Sequence, residues 1–248
     1  MDLISWEIKI NEINLERMIG VQEEVRGFLL PDTFHPNKKM QNYIQLGLVR
    51  NYAKGETVVF PGEIINKVIY VLAGRLSVSF LNEDGRQKLM YSAGKYSVVD
   101  RLFTFENCFV HVVAEKASSV CFLDKEQLFS IFRQDEEVMN DFILNYSSKC
   151  FHFMSEAKEM ALYNPSVRVL RLLYELGVSE GKLFGNACEI NVRLAQKSIS
   201  EITGVHYVTI SKIFRWLKKE GILHKTTYKI TVNDLERLKE LINANIQY

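Results

Sequence analysis

Residue types that can contact nucleic acid recur at helical spacing near the C-terminal end of the chain. Imidazole, hydroxyl and ammonium groups reach base edges and phosphates when the helix that carries them lies in the major groove of DNA. Apolar side chains in the same set suit thymine methyl groups, and few arginines are present for guanine, which favours A/T-rich DNA. The candidate DNA-binding residues are His206, Tyr207, Val208, Thr209, Ser211 and Lys212.

The segment that would position these residues is predicted to be a helix-turn-helix. Leu194, Ile199 and Ile202 mark the inner face of a first helix. Gly204 permits the left-handed turn that ends it. The second helix has apolar residues of its own at Val208, Ile210, Ile213, Phe214 and Leu217.

The basic charge of the chain is concentrated in the same segment. Residues 197 to 229 contain seven Lys or Arg and two Glu, a local charge of +5 in a chain whose formal net charge is only +1. Such a basic patch attracts phosphates. We therefore favour DNA binding over the alternative, a helical hairpin that merely packs.

Length and composition restrict the other functions. A chain of 248 residues favours two domains. The start of the chain contains Glu7 and no unbroken apolar run, and no later stretch reaches the length of a membrane span, which predicts a cytoplasmic protein without a signal peptide. The cysteines are too dispersed for a zinc or iron-sulfur site, so we interpret them as reduced core residues and expect no metal or cofactor. They are Cys108, Cys121, Cys150 and Cys188.

The N-terminal half is predicted to contain a helical preface and a small β-domain. Residues 1 to 30 have helical spacing up to Pro31, and we interpret them as a preface that packs on a partner surface; a helix on a membrane surface is the alternative. From Phe34 to Leu128, short apolar or alternating runs end at turn signals such as Asn82-Glu-Asp-Gly85. This pattern predicts an antiparallel sandwich or barrel.

A long helix is predicted from Glu136 to Ala161. Its apolar positions recur in steps of four and three residues, the rhythm of a coiled coil, and such a stripe needs a partner along its length. We favour the same helix of a second subunit over packing on the chain's own sandwich, because an unbroken seam suits a two-fold axis. The seam positions are Met139, Ile143, Tyr146, Cys150, Phe153, Ala157 and Met160.

The C-terminal domain begins where Asn164-Pro165 interrupts this helix, and alternation from Gly221 to Val232 predicts a hairpin that forms a wing. The order of sandwich, long helix and winged helix-turn-helix resembles the cyclic-AMP receptor and fumarate-nitrate regulator (CRP/FNR) superfamily of bacterial transcription factors. The resemblance rests on Pro61-Gly-Glu63, Val71-Leu-Ala-Gly-Arg-Leu76 and Ile199-Ser-Glu-Ile-Thr-Gly204.

The resemblance implies an α+β fold with an antiparallel β-roll like that of cyclic-nucleotide-binding domains, a dimerisation helix and a winged helix-turn-helix. We expect a preface at 1–30, an effector-binding β-roll at 31–134, the dimerisation helix at 135–163 and the DNA-binding domain at 164–248. The region that would hold a cyclic nucleotide lacks the Glu for the ribose, and bulky Leu102 follows Arg101. Iron-sulfur members have grouped N-terminal cysteines, and none precedes Cys108 here.

Longer blocks are similar to the CprK-type group, regulators of reductive dehalogenation that respond to ortho-chlorinated phenols. They include Leu46-Gly-Leu-Val-Arg50, Lys88-Leu-Met-Tyr91 and Gln196-Lys-Ser-Ile-Ser-Glu-Ile-Thr-Gly-Val205. In that group a Tyr and a Lys clasp the phenolate oxygen, and Tyr91 and Lys149 match their positions.

The chemistry of such a ligand agrees with these residue types. An ortho chlorine makes a phenol more acidic, and a partly buried anion must meet a cation and a hydrogen-bond donor. Arg101 replaces a Lys of the group and keeps its charge. Phe103, with Phe105 and Phe109, is expected to form an apolar wall for the ring.

We therefore expect a homodimeric transcription activator, not an enzyme, that senses an ortho-halogenated phenol. Its partners would be a palindromic A/T-rich DNA site and RNA polymerase, and no membrane. A regulator that responds to another aromatic acid, and a redox or metal sensor, are the alternatives. An enzyme on a cupin-like sandwich is disfavoured because His35, His111 and His152 lack the spacing of metal ligands.

Overall fold

The computed structural model describes residues 34–82, 85, 87–101, 109–190, 195–226 and 229–245. The predicted preface at 1–30 therefore lies outside the described residues, as do Leu194, Phe103, Phe105 and Cys108. Within the described parts, two four-stranded sheets form a β-roll, a long helix follows, and a C-terminal domain contains a third sheet. The α+β architecture is the one that the sequence predicts.

In the described part of the β-roll there are eight antiparallel strands. The first sheet has the order β1-β8-β3-β6 and the second has the order β2-β7-β4-β5. The strands of the first sheet are β1 (Leu48–Tyr52), β3 (Val68–Ala73), β6 (Val98–Asp100) and β8 (Ser118–Leu123). Those of the second are β2 (Thr57–Val59), β4 (Arg75–Leu81), β5 (Gln87–Gly94) and β7 (Val110–Ala114).

The central strand β3 of the first sheet is buried on both faces. Successive side chains of a strand point to opposite faces, so Ile69 and Val71 pack in the core between the two sheets, while Val68 and Tyr70 pack outside it. The outer face is covered by a 3-10 helix (Lys39–Leu46), by α1 (Lys125–Gln134) and by the start of α2 (Glu136–Leu162). This covering fixes the long helix against the roll.

Side-chain caps define where these helices begin. Asp124 and Gln127 form a reciprocal capping box at the start of α1, and Asp135 accepts the first free N–H groups of α2. Asn164 caps the next helix, α3 (Pro165–Ser179), with Pro165 at its first position, as predicted. The break between α2 and α3 is therefore encoded locally.

Among its described residues, the C-terminal domain packs three further helices around a four-stranded sheet of order β11-β12-β10-β9. Gly204 has a φ of 66° and ends the first helix of the predicted helix-turn-helix in the left-handed region, as expected. The helices are α4 (Gln196–Thr203), α5 (Tyr207–Lys219) and α6 (Leu235–Asn243), and the strands are β9 (Lys182–Phe184), β10 (Ala187–Ile190), β11 (Leu223–Lys225) and β12 (Ile230–Val232).

A buried ion pair joins the long helix to this domain. Arg171 of α3 donates two hydrogen bonds to the Glu159 carboxylate of α2, at 2.9 and 2.8 Å, and both side chains are at most 4% exposed. The Arg171 guanidinium also lies over the Tyr163 ring, 4.4 Å from its centroid. Both contacts span the break at Asn164 and hold the two elements together.

The strands with clear apolar alternation are confirmed, whereas β1, β6, β9 and β10 are absent from the sequence prediction. Four of the five β1 side chains and all three β9 side chains are exposed. Backbone pairing rather than burial therefore defines β1 and β9. The interpretation of the cysteines as core residues holds for Cys121 and Cys188 but is wrong for Cys150, which is exposed on α2. Among the described helices, none has the length and apolar character needed to cross a membrane.

Candidate functional site

The candidate DNA-reading helix is α5, and its first residues are presented to solvent. His206 precedes the helix, and its Nδ1 accepts the Val208 N–H at 3.3 Å. Tyr207 is 57% and Val208 42% exposed, and Lys212 follows one turn later as an exposed side chain. The opposite face of α5 is buried and contains Ile210, Ile213, Phe214 and Leu217.

Two of the predicted DNA-binding residues are less accessible. Thr209 is half-buried. The Ser211 hydroxyl donates a hydrogen bond to Gln196 Oε1 at 2.8 Å, so it ties α5 to α4. The structure thus places Ser211 at the helix-helix contact, while His206, Tyr207, Val208 and Lys212 form the open part of the set.

The basic segment divides into cations with internal contacts and cations along α5. The Lys225 ammonium lies 5.0 Å from the centroid of the Phe214 ring, and Lys229 pairs with Glu189 at 2.5 Å. These lysines support the fold of the wing. The exposed cations along the recognition helix are Lys212, Arg215, Lys218 and Lys219.

Tyr91 and Lys149, the candidate effector residues, lie together between the roll and α2. Tyr91 is on β5 and 8% exposed, and Lys149 is 5% exposed. The Lys149 ammonium is 5.1 Å from the centroid of the Tyr91 ring and donates a hydrogen bond to the Val98 carbonyl oxygen. A cation and a phenol therefore share one buried position.

Burial dominates the electrostatics of this pair. It lowers the pKa of Lys149 from 10.5 to about 7, against an opposing effect of the Asp100 carboxylate. Burial also raises the pKa of Tyr91, with a further contribution from Asp100, and the Arg101 cation acts in the opposite direction. Near neutral pH the site therefore combines a neutral phenol with an amine that loses its proton far more readily than a solvated lysine, and a nearby anion would favour the charged form of that amine.

Of the other two predicted ligand residues, the structure describes one. Arg101 follows β6, is 6% exposed and lies close enough for its charge to act on Tyr91. Phe103 is outside the described residues. Phe109 is 41% exposed and lines a different cleft, between the β4–β5 hairpin and the helix-turn-helix, so it does not belong to the wall expected beside Tyr91.

Aromatic residues that the sequence analysis did not select surround the pair instead. Phe34 contacts Tyr91 edge-on with ring centroids 5.5 Å apart, and Phe153 lies 6.1 Å from Tyr91. His152 contacts the Phe34 ring and donates from Nε2 to the Met90 carbonyl oxygen at 3.2 Å. The spacing of Lys149, His152 and Phe153 on one helix was the only sequence signal for this cluster.

On α2 the buried residues are mostly polar, whereas an apolar stripe is exposed. Its buried residues are Val138 and four polar ones, Asn145, Lys149, His152 and Glu159. The predicted seam is mostly exposed, with Ile143 and Tyr146 each 52% exposed, although Phe153 is half-buried against the roll. An apolar exposed stripe of this length is typical of an interaction surface. In addition to those two residues, Met139, Cys150, Ala157 and Met160 are exposed in the seam.

Two family profiles match the chain, one in each domain. The profile of the cyclic nucleotide-binding domain matches residues 49–135, and that of the Crp-like helix-turn-helix domain matches residues 167–241. A solved structure of CprK complexed with OCPA is 40% identical, covers 84% of this chain and 97% of its own, and has a TM-score of 0.74. The chain belongs to the CRP/FNR family.

This CRP/FNR protein is also similar to the following proteins. A CprK variant complexed with OCPA has a TM-score of 0.76 at 40% identity, over 86% of this chain and 97% of the other. The global nitrogen regulator of Nostoc is 21% identical over 75% of this chain and 85% of its own length. The CRP-like cAMP-activated global transcriptional regulator of Mycobacterium tuberculosis is 19% identical over 76% and 85%.

The matches and the geometry make this CRP/FNR member a DNA-binding transcription regulator. CooA of Carboxydothermus hydrogenoformans, at 16% identity over 87% of this chain and 99% of its own and a TM-score of 0.72, shares the fold. The described residues include no group of three His, Cys, Asp or Glu side chains able to hold a metal ion.

Proposed function

We propose that this regulator activates halorespiration genes in response to an ortho-halogenated phenol bound as an anion between Tyr91 and Lys149. The observation that carries the proposal is a lysine only 5% exposed with its ammonium 5.1 Å from the ring of a buried tyrosine. A buried cation requires a compensating partner, and a phenolate supplies one. The 40% identity to CprK complexed with OCPA supports the same ligand class.

Each residue of the site has a distinct part in this proposal. Lys149 would give the phenolate oxygen a charge-assisted hydrogen bond in place of its bond to Val98, and the Tyr91 hydroxyl would donate a second one. Arg101 adds positive potential. Phe34 and Phe153 enclose the space beside Tyr91, and Phe103 stays a candidate for the ring wall.

The exposed seam of α2 supports a homodimer. Pairing α2 with its copy would bury the apolar stripe around a two-fold axis. Two recognition helices related by that axis would read a palindrome, here an A/T-rich one, and recruitment of RNA polymerase would follow at the promoter. The proposed boundaries of the roll, the dimerisation helix and the DNA-binding domain, at 134/135 and 163/164, fall at helix caps.

A DNA mobility shift titration tests the effector. Purified protein and an A/T-rich palindrome are titrated with 3-chloro-4-hydroxyphenylacetate and with 4-hydroxyphenylacetate as the matched compound without chlorine. We expect the chlorinated compound to raise DNA affinity at lower concentration, because its phenol ionises more readily. No gain with any phenol refutes the proposal.

Two other signals are distinguished by the same assay. A response to non-phenolic aromatic acids would favour a different aromatic acid as effector, which the rings around Lys149 could also accommodate. A requirement for oxidant or metal would favour a redox or metal signal, with the exposed Cys150 as the first residue to substitute.

A further inference from the structure

Lys88 joins three elements that belong to different parts of the molecule. It lies on β5 of the roll, and its ammonium forms an ion pair with Glu156 of α2. The same ammonium donates a hydrogen bond to the Ile202 carbonyl oxygen of α4 at 2.8 Å. The strand β5, the long helix α2 and the helix-turn-helix therefore meet at the Lys88 side chain.

The contact with α4 has a specific physical basis. Ile202 lies in the last turn of α4, where helix carbonyls lack the next turn of N–H donors and the helix dipole is negative. A lysine is well suited to cap such a carbonyl. Here the cap comes from the other domain, so it fixes the position of the helix-turn-helix relative to the roll.

A β-bulge places Lys88 and Tyr91 on one face of their strand. The pairing of β4 with β5 matches Val78 to Tyr91 and Ser79 to Leu89, which leaves Met90 as an extra residue. Residues three apart on a regular strand face opposite sides, but one inserted residue returns them to the same side. Both side chains therefore face α2.

The bulge itself is held by the long helix. His152 donates to the Met90 carbonyl oxygen, and on the same helix Lys149 and Glu156 are two turns apart. The effector candidates and the interdomain bridge thus form consecutive contacts between the same strand and the same helix. A shift of β5 against α2 at Tyr91 would move Lys88 as well.

The overall fold in which Lys88 forms this bridge is similar to that of a CprK structure with a bound effector. A CprK variant complexed with OCPA matches the chain with a TM-score of 0.76 over 86% of its length, a span that extends into both domains. Beside the bridge, a cleft of about 1000 Å³ separates the β4–β5 hairpin from His206 and Tyr207. The Lys88 contact holds the two walls of that cleft at a fixed separation.

We propose that Lys88 is a positioning residue that couples occupancy of the effector site to the orientation of the helix-turn-helix, through its bond to Ile202 and its ion pair with Glu156. The inference rests on the proposed function for the identity of the effector. Effector binding would hold β5 against α2 in the register that lets Lys88 reach α4. DNA binding would stabilise the same contact from the other side.

The test compares Lys88→Met with Lys116→Met, which removes the same charge from an exposed position on the β7–β8 turn. DNA affinity is measured with and without saturating 3-chloro-4-hydroxyphenylacetate, and the ratio of the two is the coupling factor. We expect Lys88→Met to reduce that factor about tenfold, the loss expected for one charged hydrogen bond. Glu156→Gln should give a smaller reduction, and Lys116→Met none.

A merely structural role predicts a different result. It would weaken DNA binding equally with and without the phenol and leave the coupling factor at the wild-type value, which would overturn the proposal. By reciprocity, wild-type protein binds the effector more tightly when DNA is bound than when it is free. In Lys88→Met this gain in effector affinity should be about tenfold smaller than in wild type. Calorimetric titration of both forms measures this independently.

Hydrogen exchange separates the failure of this inference from the failure of the proposed effector. Residues 199–207 of the free protein should exchange faster in Lys88→Met than in Lys116→Met, because α4 has lost its cap. If wild type responds to no phenol but this acceleration is observed, the effector assignment fails and the interdomain bridge stands. Equal exchange in the two variants rejects the bridge.

Discussion

Replacing Lys149 by Met should stabilise the fold and at the same time abolish the response to phenols. Methionine keeps most of the length of the side chain but removes the charge that burial disfavours. Lys158→Met, which lies on the same helix at an exposed position, is the matched control. If Lys149 instead stabilised the ligand-free protein, Lys149→Met would lower the free energy of unfolding.

The size of the effect follows from the surroundings of Lys149. Lowering its pKa from 10.5 to about 7 corresponds to about 5 kcal/mol of disfavoured charge. Methionine also removes the hydrogen bond to the Val98 carbonyl, which costs about 2 kcal/mol for a buried acceptor left without its donor. The net expectation is a gain of about 3 kcal/mol in the free energy of unfolding near pH 7.

The gain depends on pH in a defined direction. The pKa of Lys149 is about 7 in the folded protein and 10.5 in the unfolded chain, so between these values the unfolded chain binds more protons. Wild-type stability therefore rises with pH across this window, and the burial cost applies fully below it. The advantage of Lys149→Met should be largest below pH 7 and should decrease towards pH 10.5.

Urea unfolding at pH 6, 7.5 and 9 measures this advantage, at one fixed protein concentration because the proposed dimerisation would contribute to stability. The DNA mobility shift with the chlorinated phenol is run on the same samples. A Lys149→Met protein less stable than wild type at pH 6 would show that the ammonium is well solvated or paired. A retained phenol response would remove Lys149 from the site.

Four further outcomes are expected. The proposed complex of a phenolate with a charged Lys149 holds as many protons as a neutral phenol and a neutral amine. Phenol affinity measured by isothermal titration should therefore be level between pH 7 and the pKa of the free phenol, and should fall about tenfold per pH unit above that pKa. Lys212→Ala should weaken binding to all DNA sequences and lower the salt slope by about one, and a wild-type slope would contradict a phosphate contact. Arg171→Met should destabilise the protein by about 4 kcal/mol in urea, since Glu159 would stay buried without its partner. Ile143→Asp should give monomers in analytical ultracentrifugation, and a persistent dimer would place the interface elsewhere.

The parts of the fold that were predictable have strong local signals. The helix-turn-helix follows from apolar spacing and from Gly204, whose positive φ is a backbone requirement visible in one residue. The boundary between α2 and α3 follows from Asn164 and Pro165 in the same way. Strands such as β1 lack such a signal, because their side chains are exposed and only backbone pairing defines them.

The candidate effector site was only partly predictable, because its polarity reverses the usual rule. The exposure of Ile143 is compatible with the predicted dimer seam, but the hydropathy of α2 does not predict that Lys149 and His152 are buried. The bulge at Met90 is also invisible in the sequence, since it is defined by the register with β4 and not by a glycine. The contact between Phe34 and Tyr91 joins residues that are far apart in the sequence, so no local spacing predicts it.

The burial of Lys149 also determines how much free energy ligand binding at this site can supply for allosteric coupling. Allosteric coupling between two sites typically requires about 1–3 kcal/mol. The disfavoured charge of Lys149 amounts to about 5 kcal/mol, so an anion that restores the ammonium form recovers enough of it to drive such coupling. A neutral phenol of the same shape would recover little, since it leaves the amine uncharged. In the proposed site, selectivity for an acidified phenol and the strength of the response to it would thus have a common origin, the desolvation of one lysine that lies two helical turns from the Glu156 and Lys88 bridge.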